Sequence, residues 1–81
     1  MTNPERLAAA FREALGLPVG TDVTSLAYGK HKNWDSVAHM QLVAALEREF
    51  EILIETDDVI GMSDYGKAIE VLRKNEIPFD A

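Results

Sequence analysis

Residues 34–50, WDSVAHMQLVAALEREF, restrict what this chain can fold into more than any other stretch. Asp35 has the residue type of a helix N-cap, Ser36 falls in the first turn, and Phe50 closes the last. At about 100° per residue, the step of a 3.6-residue helix, His39, Leu42, Val43, Leu46 and Phe50 share one side. Val37, Met40, Gln41, Ala44 and Arg48 share the other. The first set suits the core of a bundle. The second puts three apolar residues where a surface helix is ordinarily polar. The spacing therefore predicts a helix that buries one face in its own protein and offers the other to something else. Ser36 stands at the end of the offered face, beside Val37 and Met40.

The flanking chain supplies elements for such a helix to pack against. A first helix is predicted from about Pro4, with Asn3 as cap, Glu5 in the first turn and Gly16 at the end. Leu7, Phe11, Ala14 and Leu15 keep the spacing of one buried face. Residues 17–34 show no period, and a connection this long is unusual in a small domain. Leu17, Val23, Leu26 and Tyr28 are spaced as anchors that drop it onto a core. Residues 51–55, with Ile52, Leu53 and Ile54, are predicted to be a loop closing over that core. Thr56 is expected to cap a short helix with Asp57 and Asp58 in its first turn, Gly61 at its end, and Val59, Ile60 and Met62 as its apolar side. Ser63 is expected to cap a last helix to about Asn75, with Tyr65, Ala68, Ile69 and Leu72 buried; Gly66 inside it predicts the close approach of another backbone. The sum is one all-α domain over residues 1–81, a small antiparallel four-helix bundle of three longer helices and one short, with a long loop between helices 1 and 2.

Composition narrows the partners. With 14 acidic against 8 basic residues and a net charge of -6, nucleic acid and anionic membranes are disfavoured and partners with basic patches favoured. The chain has no cysteine, so disulfides and thiolate metal sites are excluded. No apolar run approaches the roughly 20 residues of a membrane span, and no signal-peptide pattern opens the sequence. A cytoplasmic monomer is the expectation. The acids at Glu47, Glu49, Glu51, Glu55, Asp57 and Asp58 lack the ligand spacing and turn glycine of a calcium loop and read as a solvated face.

Asp35-Ser36-Val37, followed by Leu42-Val43, Leu46-Glu47 and Phe50, resembles the acyl carrier protein family, whose motif is an Asp-Ser-Leu tripeptide opening such a helix. Length, helix order and the long loop before the motif agree as well, so the resemblance covers essentially the whole chain. It implies that the Ser36 hydroxyl is esterified with 4′-phosphopantetheine from coenzyme A by a phosphopantetheinyl transferase. It also implies that Asp35 is a cap and a recognition element for that transferase. The protein would then be a non-catalytic carrier of an acyl thioester, delivered to loading and transfer enzymes of a lipid, polyketide or other specialised pathway. Val37, Met40, Gln41, Ala44 and Met62 are the expected partner-binding residues. Cargo would enter between this helix and the short one, past Leu46 and Met62.

Departures from the family pattern refine this. Ala38, Gln41 and Arg48 stand where carriers of general fatty acid synthesis have acidic residues, and Trp34 replaces a small residue before the aspartate. These differences imply a specialised member, serving a secondary metabolite, a surface polysaccharide modification or an aminoacyl group. An aminoacyl or peptidyl carrier with the same arm is the near alternative. A helical interaction module that is never modified is the distant one.

Two further features bear on chemistry. Lys30-His31-Lys32 is the only basic cluster and lies just before Ser36. It reads either as a solvated loop or as a contact for phosphate of the arm or of coenzyme A. Trp34 at N′ and His39 at N4 have the spacing of a staple across the helix start, so His39 reads as a packed structural residue. No nucleophile, base and acid combine into a catalytic set, so no enzyme is expected.

Overall fold

The structure is a computed structural model that describes residues 2–79. Its elements are α1 (Asn3–Leu15), α2 (Ser36–Phe50), α3 (Thr56–Gly61) and α4 (Tyr65–Lys74). It is the expected small all-α bundle of three longer helices and one short, and no strand occurs among the described residues.

Three of the four helices begin where a side chain satisfies a first-turn backbone amide, and at three of the four starts the cap residue is not the one expected. In α1 the cap is Thr2 rather than Asn3: the Glu5 amide donates to Thr2 Oγ1 (3.3 Å) while Glu5 Oε1 accepts from the Thr2 amide (2.9 Å). The reciprocal pair satisfies two donors, which a cap at Asn3 would not do. Asn3, now inside the helix, donates instead from Nδ2 to the Pro78 carbonyl at 2.9 Å and ties the two ends of the chain together. In α4 the cap is Asp64, not Ser63. Asp64 Oδ1 accepts from the Lys67 amide at 2.8 Å, while the Ser63 carbonyl is taken by the Tyr28 amide at 2.8 Å. In α3 Thr56 is already helical, and Glu55 holds the cap position without a side-chain bond. Gly16 ends α1 as expected, in the left-handed region (φ 66°), which costs glycine nothing.

The core gathers from every segment. Leu7 and Phe11 of α1, Leu42 and Leu46 of α2, and Ala68 and Leu72 of α4 are sealed from solvent, together with Trp34 and Met62 from the connections. Arg6 fastens α1 to α2, with Nε 2.8 Å from Glu49 Oε2 and its guanidinium 4.5 Å above the Phe50 ring. The long loop is held by Val23, Leu26 and Trp34, all buried, as an anchored connection requires. Tyr28 departs from the expected set: it stays 44% exposed and lays its ring edge against Trp34 and His39. Residues 51–55 close over the core as a loop. Ile54 is buried, Leu53 faces solvent, and the Ile54 amide donates to Glu47 Oε2 at 2.9 Å.

Two further expectations are corrected by packing. Ile60, placed on the apolar side of the short helix, is 76% exposed, while Val59 and Met62 turn inward. Gly66 meets no close backbone; the nearest atom to an added Cβ is Asp64 Oδ1 at 3.5 Å, an ordinary contact.

Candidate functional site

The entrance to α2 is built by the cap and the staple together. Asp35 has extended backbone (φ -106°, ψ -172°), and its Oδ1 accepts from the Ala38 amide at 2.9 Å. Ser36 is therefore the first helical residue, exposed, and its hydroxyl makes no hydrogen bond to the described residues. Nothing in the fold walls it in.

Immediately behind it, Trp34 plugs the interior. Its indole Nε1 donates to His39 Nδ1 at 2.9 Å, with the two ring planes 22° apart. Because Nδ1 accepts, the imidazole proton sits on Nε2, which donates to the Val59 carbonyl at 2.7 Å. One histidine thus clamps the loop before α2 to α2 itself and to α3, and both ring nitrogens are occupied. The structural role expected for His39 is what the geometry shows.

The outward face of α2 is as the helical spacing predicts. Val37 is 66% and Met40 56% exposed, and Gln41 and Ala44 are exposed with them. With Ser36 they line an open groove of about 550 Å³. Ala38 and Ala45, assigned to neither face, are buried, because their small side chains admit a neighbouring element close to the α2 backbone. Met62 does not belong to the partner face: it is 0% exposed and fills the core beneath α3. Leu46 is equally sealed and lines no open passage between α2 and the short helix. A cleft of about 270 Å³ does open there, walled by Tyr28, His39, Val59 and Ile60, with Met62 as its floor.

Sequence reasoning missed a second groove, about 480 Å³, on the far side of Asp35. It runs between the end of α1 and the start of α2, past Glu13, Leu15, Lys32 and Asn33. Asn33 Nδ2 donates to the Leu15 carbonyl at 3.1 Å and fixes this junction. The only signal was a lone asparagine in a loop, whose partner lies 18 positions away.

The basic segment is ordered by the same loop. His31 Nδ1 accepts from the Asn33 amide at 3.0 Å, whereas Lys30 and Lys32 extend into solvent. No helix among the described residues is long and apolar enough to cross a membrane. No family model matches the chain, nor does any curated protein or solved structure.

Proposed function

We propose that the protein is a specialised acyl carrier protein, bearing 4′-phosphopantetheine on Ser36 and presenting an acyl thioester to partner enzymes without catalysing a reaction itself. The observation that carries this reading is the exposed, uncommitted Ser36 hydroxyl at the first position of a capped helix, on the rim of an apolar groove that the core leaves unused. A carrier needs a primary hydroxyl that attacks a pyrophosphate once, inside another enzyme, and is inert afterwards. Its surroundings favour the product, since the free amides and the dipole at a helix start stabilise a phosphodiester by about 0.3–1 kcal/mol.

In the transferase, the Ser36 oxygen attacks the β-phosphorus of coenzyme A. The phosphodiester forms, the pyrophosphate bond breaks, 3′,5′-adenosine bisphosphate leaves, and the hydroxyl proton passes to a base of the transferase. The role of this chain is to hold the hydroxyl still: the Asp35 cap fixes the helix start, and the Trp34–His39–Val59 clamp fixes what lies behind it. Val37, Met40, Gln41 and Ala44 form the surface on which transferase and cargo enzymes dock. Met40 suits a surface that receives several partners, because its side chain is unbranched and adaptable. The neutral-to-basic surroundings of the serine favour a dedicated pathway over general fatty acid synthesis, with an aminoacyl or peptidyl cargo as the variant reading. A cytoplasmic location and a monomeric state complete the proposal.

Incubation with coenzyme A, magnesium and a broad-specificity phosphopantetheinyl transferase, read by intact mass, tests it. The wild-type protein gains one phosphopantetheine and Ser36→Ala gains none. An unmodified wild type under conditions that load another carrier would leave an interaction module using the same face.

A further inference from the structure

The partner face of α2 differs in charge from the rest of the molecule. From Ser36 to Leu46 the helix carries no carboxylate, whereas Glu47, Glu49, Glu51 and Glu55 crowd its other end, on the order of 20 Å away at 1.5 Å per residue. The cations are unevenly committed too. Arg6, Arg48, Lys67 and Lys74 are in ion pairs, and Arg12 and Arg73 donate to the carbonyls of Thr21 and Phe79. Lys30 and Lys32 alone have no acceptor among the described residues, and both project from the ordered turn just before Ser36. Two carboxylates line the second groove with Lys32. Asp35 spends an oxygen on its cap, and Glu13, across the second groove, is paired with Arg48 at 3.5 Å.

We infer that the groove of Val37, Met40 and Ala44 accepts a protein partner whose apolar ridge is rimmed by carboxylates, set in register by Lys30 and Lys32. The sign is opposite to the one that the net charge of -6 suggests. Opposite-sign rims steer an encounter and fix its register more than they deepen it, and screening over about 8–10 Å limits each patch to its own neighbourhood. An acidic-rimmed partner is repelled by the far end of α2 and attracted only at the serine end, so it approaches in one orientation.

The inference extends the docking face of the proposed carrier, yet it is tested on the unmodified protein. Isotope-labelled protein is titrated with a leucine-rich amphipathic helical peptide flanked by glutamates, and separately with its lysine-flanked twin, at low salt. The glutamate peptide shifts the amides of Lys30, Lys32, Val37, Met40 and Ala44, and the lysine peptide shifts those around Glu47, Glu51 and Glu55. The double charge reversal Lys30→Glu, Lys32→Glu, at exposed loop positions, weakens the glutamate peptide about tenfold, or some 0.7 kcal/mol per reversed side chain. The titration contains neither coenzyme A nor a transferase, so its outcome is independent of arm attachment. A lysine peptide seated on the α2 groove, a glutamate peptide bound elsewhere or not at all, or charge reversal without effect, overturns the inference.

Discussion

At the scale of single residues, the site depends on a histidine whose two ring nitrogens are both engaged. Trp34 is 0% exposed and its only polar atom finds His39 Nδ1. His39→Ala strands that donor and releases the Val59 carbonyl, a loss of about 1–3 kcal/mol. Denaturant unfolding followed by Trp34 fluorescence checks it. A change within about 0.5 kcal/mol, as for an ordinary surface substitution, would contradict the clamp. Coupling to Trp34→Phe separates the shared hydrogen bond from packing: the double mutant loses less than the sum of the singles. Asp35 acts more locally, and Asp35→Ala costs about 1 kcal/mol, whereas Asp35→Asn keeps most of the cap.

Among the elements, the two faces of α2 make the sharpest contrast. Leu46→Ala, in the sealed core, costs about 2–5 kcal/mol, while Met40→Ala and Val37→Ala stay within about 0.5 kcal/mol. Equal losses on both faces in thermal unfolding would show that the outer face is covered after all. Gly66, in the first turn of α4 and free of close backbone, offers a gain: Gly66→Ala stabilises by about 0.4–1 kcal/mol. The start of α1 responds to pH. The Thr2 backbone amide, and then its hydroxyl, hold the Glu5 carboxyl below the usual glutamate range. A group lowered in the folded state adds stability above its unfolded pKa and loses it as pH falls through the folded value, so α1 loosens from its first turn in acid. A carboxyl-carbon titration showing Glu5 at its ordinary value would contradict the reciprocal cap.

These contrasts also show what could be read in advance and what could not. Both faces of α2, its Asp35 cap and the exposed Ser36 follow from helical period and cap chemistry, which are local. The caps of α1 and α4 differ from those expected because Thr2 and Asp64 compete with adjacent polar residues and only the distances decide, whereas α3 starts at Glu55 with no side-chain bond to mark it. Met62 and Ile60 were misassigned because a six-residue helix offers too few turns to define a face. The loop's grip on α1 through Asn33 and on the segment before α4 through Tyr28 depends on partners 18 and 35 positions distant, which no periodicity encodes.

Across the whole molecule, the parts divide between holding and presenting. One core drawn from the four helices and the three connections between them keeps the entrance of α2 rigid, and the apolar surface that it does not use gathers beside the serine. The molecule also supplies its own control for arm attachment. Of its three serines, Ser25, Ser36 and Ser63, all exposed, only Ser36 opens a capped helix beside that surface. Peptide mapping of protein loaded from coenzyme A by a broad-specificity transferase is the most direct measurement. The account predicts that the entire label lies on Ser36. A label on Ser25 or Ser63, or none at all, contradicts it.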